Sequence, residues 1–134
     1  MPNARPGAIG AVGFSNGGLF SVLMAAEGSI KAGVAYYGAL MGVGQPRPNN
    51  PFLQRFSATS APVLILAGAN DTTMGTEPVR MLETIMKNAG SPHELVLYPD
   101  TEHVFDRSNS RPGNEAATAD AWPRTLALLR RHVR

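Results

Sequence analysis

The stretch AIGAVGFSNGG, residues 8–18, decides how the chain is read. A run of small apolar residues ends in Gly13-Phe14-Ser15-Asn16-Gly17, a G-x-S-x-G pattern, and residues 19–26 (LFSVLMAA) follow as an apolar segment. Residues 8–14 read as a short buried strand and residues 19–26 as a buried helix, so Ser15 falls on the turn between them. In such a turn the serine sits at the apex in a strained backbone conformation with its hydroxyl presented outward. Gly13 and Gly17 lack a Cβ, which would let strand and helix approach closely around residue 15. The plainer alternative is a glycine-rich β-to-α turn with an incidental serine. With 14 glycines in 134 residues such a match arises by chance often enough that the rest of the chain has to decide.

Length and composition suit one domain, residues 1–134, with a core large enough to need no staples. There is no cysteine, so no disulfide forms. That fits a cytoplasmic protein, although many exported bacterial proteins share the trait. The N-terminus MPNARPGAIGAVGF has an early proline and glycine-interrupted apolar residues. It makes a poor signal peptide and is far too short to span a bilayer, so a soluble protein without membrane association is expected. The formal net charge is +2, and much of the basic excess lies near the end as Arg124, Arg130, Arg131 and Arg134. Cations there complement a helix dipole. No interleaved aromatics or binding motif accompany them, so nucleic acid is not the expected partner.

Short apolar runs alternate with helical patterns along the chain. Residues 32–37 (AGVAYY), 62–67 (PVLILA) and 93–98 (HELVLY) read as buried parallel strands. Between the last two, residues 76–90 read as an amphipathic helix. Thr76 is its N-cap, Pro78 lies in its first turn, Val79, Leu82, Ile85 and Met86 share one face, and Gly90 terminates it. Trp122, Leu126, Leu129 and Val133 are spaced as one apolar helical stripe. With Asp120 as N-cap, Pro123 falls in the first turn, where its missing N–H costs nothing, so this helix is expected to start at about Ala121. Residues 38–60 form a long Pro- and Asn-rich connection, with one helical turn expected at residues 52–56; connections of that length often shape a binding site. There is no internal repeat or domain linker.

This order implies right-handed crossovers and a parallel sheet, whose ligands bind beyond the carboxyl ends of the strands. Ser15 follows the first strand, Asp71 the third and His103 the fourth, so all three are expected at one edge of the sheet. Their chain order, Ser then Asp then His, is that of the α/β-hydrolase arrangement. Each has a bland alternative. Asp71 lies in Gly68-Ala69-Asn70-Asp71, ordinary turn chemistry, and His103 could be a plain loop histidine. Asp100, Glu102, His103 and Asp106 raise the alternative of a metal site, but one histidine with scattered acids lacks the spacing of zinc or calcium motifs, so no metal is expected. His93 and His132 make poorer bases, one opening a strand and the other lying in the basic terminal helix.

The segments GFSNGG, AYYG, LAGAND, YPDTEHVFD and ADAWPRTLALLRRHV, which together reach across nearly the whole chain, closely resemble the dienelactone hydrolase family of α/β-hydrolases. The resemblance implies a truncated α/β-hydrolase fold of about four mainly parallel strands with flanking helices. It implies Ser15 as nucleophile, Asp71 as acid and His103 as base, with the backbone N–H of Asn16 as one oxyanion donor. Arg107 matches a position that in the family can hold a substrate carboxylate, and Tyr37 would line the pocket. The expected substrates are small or short-chain carboxylic esters, hydrolysed through an acyl-enzyme without a cofactor. Two departures stand out. The family's dienelactone enzymes carry cysteine where this chain has Ser15, which favours a general serine esterase. Family members also carry a long segment before the elbow, including a loop that supplies the second oxyanion donor. A strand left bare by that difference is expected to be covered in a homodimer or larger assembly. A catalytically weak homologue acting as a binding or assembly module is the alternative function.

Overall fold

The structure, a computed structural model, describes residues 5–38 and 53–134. Its elements in chain order are β1 (Gly10–Phe14), α1 (Asn16–Ala26), β2 (Ala32–Tyr36), β3 (Val63–Gly68), α2 (Glu77–Asn88), β4 (His93–Tyr98) and α3 (Pro112–His132). The strands form one sheet in the order β1-β2-β3-β4, and every pair is parallel.

β2 and β3 are buried along their whole length, which is why both read as unbroken apolar runs. Alternate residues supply the two faces. Val63, Ile65 and Ala67 of β3 pack with Leu19 and Val22 of α1 and with Val79, Leu82 and Met86 of α2. Leu64 and Leu66 face the other way, toward Phe105 and toward Ala117 and Ala121 of α3. The sheet is thus sandwiched between α1 and α2 on one side and α3 on the other. Each fully buried Leu, Ile or Val contributes about 1.5–3 kcal/mol relative to exposure.

The strands and α2 follow the sequence pattern to within two residues at their ends. The last helix departs from it. It begins at Pro112, not near Ala121, and Pro123 lies inside it. Asp120 is no N-cap: mid-helix, its carboxylate accepts from the Tyr98 hydroxyl at 2.8 Å and from Arg124 Nε at 2.6 Å. The earlier start is held by Asn114, Ala117 and Ala121, all buried on the sheet side. Pro123 removes the bond that the Ala119 carbonyl would have received, but both residues are exposed, so water can replace the lost donor. The apolar stripe also lies elsewhere. Trp122 is 52% exposed, Leu126 is only half-buried, and the packing face is instead Ala117, Ala121, Thr125 and Leu128. Leu129 and Val133, both half-buried, lie close against Gly10 of β1.

Most of the connection at residues 38–60 lies outside the described residues. Its described end carries a single 3-10 turn, Leu53–Arg55, where a turn at residues 52–56 is expected; Phe52 lies outside.

The two elbow glycines differ sharply. A Cβ on Gly13 would sit 1.9 Å from the backbone oxygen of Gly17, whereas one on Gly17 would meet nothing within 4 Å. Only Gly13 is therefore sterically required, contrary to the symmetric roles the motif suggests. Gly13→Ala should destabilise the fold by about 1–3 kcal/mol or more, because backbone cannot yield as a side chain does. Gly17→Ala should be tolerated or stabilise by about 0.5–1 kcal/mol through helix propensity. Urea denaturation of the two variants checks the contrast.

Candidate active site

The four strands end at one edge of the sheet, and their ladder of backbone bonds continues past the strand ends into the loops. Ser15 N–H donates to Tyr36 O at 3.0 Å and Tyr37 N–H to Leu66 O at 2.6 Å. Ala69 N–H then reaches Tyr98 O, and Asn70 N–H reaches Thr101 O, both at 2.8 Å. The loops carrying Ser15, Tyr37, Asp71 and His103 are thereby tied side by side.

Ser15 takes φ 51° and ψ −122° at the N-cap of α1. An ordinary N-cap serine accepts a bond from the N–H two or three residues on. Ser15 makes no such cap. Its Oγ lies 3.1 Å from His103 Nε2 instead. His103 Nδ1 in turn lies 2.7 Å from Asp71 Oδ2. An ionised carboxylate only accepts, so Nδ1 carries the proton and Nε2 is left to accept from the serine hydroxyl. The other Asp71 oxygen accepts the N–H groups of Thr73 at 2.9 Å and Met74 at 2.8 Å. Asp71 is buried, with its side chain 3% exposed, and the His103 side chain is 13% exposed. Three side chains separated in sequence by 32 and 88 positions thus form one chain of contacts. Asn16 opens α1, so its N–H has no intrahelical acceptor.

Four non-glycine residues among those described have positive φ: Ser15, Tyr37, Asp100 and Val104. All lie in the loops beyond the carboxyl ends of the strands, where stored strain often marks a working site. Val104, β-branched at φ 57° and next to His103, is the most unusual of them.

Tyr37 is buried, and its ring stands edge-on to His103 with centroids 4.9 Å apart. Its hydroxyl donates to Asp106 Oδ1 at 2.7 Å. Burial, and secondarily that bond, push the phenol well above its usual range. Tyr37 therefore acts as a wall behind the imidazole with its polar end committed. Arg107 is 75% exposed in the 3-10 turn Phe105–Arg107, with its Nε 4.0 Å from Asp106 Oδ2. It borders an open hollow of about 790 Å³ with Phe105, Asn109 and Glu115.

The acids flanking His103 are each engaged by other side chains, Asp100 and Glu102 both by Arg111. Asp100 pairs with Arg111 at 2.9 Å, and Asp106 holds Tyr37. Glu102 is the centre of a clamp that the sequence reading missed. Its Oε1 accepts from Ser108 Oγ at 2.5 Å, from Ser110 Oγ, and from Asn114 Nδ2 at 3.1 Å. Asn114, fully buried at the start of α3, returns the contact by accepting Glu102 N–H at 3.0 Å. The residue before His103 is thus pinned by both backbone and side chain. Nothing in the local sequence marks Asn114, because its partner is twelve positions away. The Asx turn at Asp71-Thr72-Thr73 does have a sequence signal, an aspartate after a strand followed by turn-tolerant residues.

A serine on a strained turn after the elbow strand, with histidine and aspartate on neighbouring strand-end loops of a parallel sheet, has the layout of the α/β-hydrolase fold. A model of the dienelactone hydrolase family matches residues 1–133, and the chain belongs to that family. A Salmonella typhimurium protein named "Putative carboxymethylenebutenolidase" is 40% identical over 118 residues, covering 85% of this chain and 43% of its own length. The carboxymethylenebutenolidase of Rhodococcus opacus is 32% identical, covering 92% and 50%. Among solved structures, a dienelactone hydrolase-like promiscuous phosphotriesterase from metagenomic libraries superposes with TM-score 0.79 at 18% identity, covering 100% of this chain and 56% of its own. That match bears on the fold alone. The chain spans about half the length of the curated relatives it matches. No described helix is long and apolar enough to cross a membrane.

The clamp at Glu102 makes a pH prediction. Its bonds from Ser108 and Ser110 hold the carboxyl below its usual range. A group depressed in the folded state stabilises above its unfolded pKa, and that stabilisation is lost as pH falls through the folded value. Glu102→Gln should therefore melt at a lower temperature than wild type at neutral pH. The gap should close as pH drops below about 4. Paired thermal melts across that range read the difference, and a gap unchanged at low pH would contradict the clamp.

Proposed function

We propose that the protein is a serine hydrolase that cleaves small or short-chain carboxylic esters through a Ser15-His103-Asp71 triad and an acyl-enzyme. What supports this reading above all is the unbroken contact chain from Ser15 Oγ through His103 to Asp71, with Ser15 leaving its own helix uncapped to make it. A serine that merely served the turn would satisfy α1 instead.

In the proposed reaction His103 Nε2 takes the Ser15 hydroxyl proton as Oγ bonds to the ester carbonyl carbon. The carbonyl oxygen becomes an oxyanion, to which the Asn16 N–H donates. Asp71 holds the imidazole by its Nδ1–H and favours the imidazolium that forms. The tetrahedral intermediate then expels the alcohol, which leaves with the proton from Nε2. In the second half His103 deprotonates a water that attacks the acyl carbon, and Ser15 recovers its proton as the acid departs. Every step uses groups of the chain and water. Tyr37 fixes the far side of the imidazole through its ring contact. Arg107, exposed and four positions after His103, is the cation assigned to a substrate carboxylate.

Serine as nucleophile favours simple esters over the dienelactone acted on by the family's cysteine enzymes. The carboxymethylenebutenolidase names of the relatives are consistent with hydrolysis of an ester bond.

Ser15→Ala and His103→Ala should each abolish most turnover of a short-chain p-nitrophenyl ester with little change in thermal stability, since both lie beyond strand ends. Asp71→Asn should leave the fold intact and cost about 10,000-fold in kcat through the wrong tautomer. Asp100→Asn and Asp106→Asn should cost far less. Wild-type turnover by Ser15→Ala would contradict the assignment.

A further inference from the structure

The residue after His103 is held where a branched side chain does not go unaided. Val104 takes φ 57° and ψ 38°, in the left-handed region, and such a conformation persists only where the surroundings over-determine it. Returned to negative φ, Val104 would re-aim residue 103 relative to the chain that follows and carry the imidazole off Ser15 and Asp71. Within the loop, Arg107 N–H bonds Val104 O at 3.0 Å, which fixes the residues after Val104 but not those before it.

The remaining hold comes from the first two turns of α3. Asn114 Oδ1 accepts Glu102 N–H at 3.0 Å. One turn further on, the Thr118 hydroxyl donates to Phe105 O at 3.1 Å as well as to Asn114 O in its own helix at 2.8 Å. Together the two side chains bracket His103 and Val104 by the backbone on either side. The helix start is itself seated on the incoming chain, for a Cβ on Gly113 would lie 2.2 Å from Asp100 O and 2.5 Å from Pro99 O. Asn114 is fully buried, whereas the next residues on that face, Ala117 and Ala121, are apolar. Burying an amide is unfavourable unless its bonds are made, and both ends of this one are spent on Glu102. The strain of a left-handed residue and the worth of one or two hydrogen bonds are of similar size, so loss of either hold is enough to let the loop relax.

We propose that Asn114 and Thr118 are positioning residues for His103. Acting through the backbone of Glu102 and Phe105, they keep Val104 left-handed and the imidazole between Ser15 and Asp71. Their effect on turnover rests on the hydrolase reading above; their effect on the ring does not.

Proton NMR separates the two. The His103 Nδ1–H, bonded to Asp71, should give a far-downfield, exchange-protected resonance in the wild type that is absent from His103→Ala. Asn114→Ala and Thr118→Val should each weaken or abolish it while circular dichroism shows native secondary structure. With a short-chain p-nitrophenyl ester, kcat should fall about 10- to 100-fold at unchanged KM, the size expected of a misplaced catalytic group. Thr118→Val conserves shape at a half-buried position and keeps the test readable if Asn114→Ala does not fold. Adding Val104→Gly, which removes the Cβ penalty, should restore both resonance and kcat in the Thr118→Val background, a rescue that a merely structural role for the helix start would not give. Loss of the resonance in the variants supports the placement even if the wild type turns over no ester, a result that would count against the hydrolase reading alone. A resonance that either folded variant keeps at full intensity, its absence from the wild type, or a Val104→Gly change that rescues nothing would overturn the proposal.

Discussion

The approach of the first turn of α1 to the end of β1 is the constraint on which the rest of the site depends. A Cβ at Gly13 would lie 1.9 Å from the Gly17 carbonyl oxygen, so the chain reverses there with no room to spare. Residue 15 is driven to φ 51°, a conformation that costs an ordinary residue about 1–3 kcal/mol. At that angle Ser15 leaves its helix uncapped and its hydroxyl faces His103. Relaxing the turn would restore an ordinary N-cap and take the serine away from the imidazole.

The cost of this conformation is offset outside the loops that bear it. β2 and β3, buried on both faces, hold the outer strands in register, and the bonds beyond the strand ends carry that register into the turns. The imidazole is fixed from four directions: Asp71 at Nδ1, Ser15 at Nε2, the Tyr37 ring at its edge, and the clamped backbone of Glu102. Asp71 is oriented by two backbone N–H groups of its own loop. The geometry is therefore set before any ligand arrives, as electrostatic catalysis requires.

Much of this was legible in the sequence because it depends on short-range signals. Short unbroken apolar runs rich in β-branched and aromatic residues mark β2, β3 and β4, and the positions of Ser15, Asp71 and His103 after the first, third and fourth strands put them at one edge. The last helix was misread because Pro123 is a strong local stop signal, while the contacts that override it, Asn114, Ala117 and Ala121 against the sheet, are tertiary. Trp122 was misread for a related reason: apolar spacing does not tell which side of a helix meets the core. The motif treats Gly17 as the equal of Gly13 because it records identities and not distances. The Glu102–Asn114 clamp has no local signal, since it joins a loop to the start of α3, which the Pro123 stop signal hides.

The central claim is that Ser15 is an activated nucleophile, and covalent capture tests it most directly. The wild-type protein, treated with a fluorophosphonate near neutral pH and digested, should yield one adduct, on the peptide that carries Ser15, while Ser15→Ala should yield none and His103→Ala little. An adduct on another residue, or equal labelling of wild type and Ser15→Ala, would contradict it.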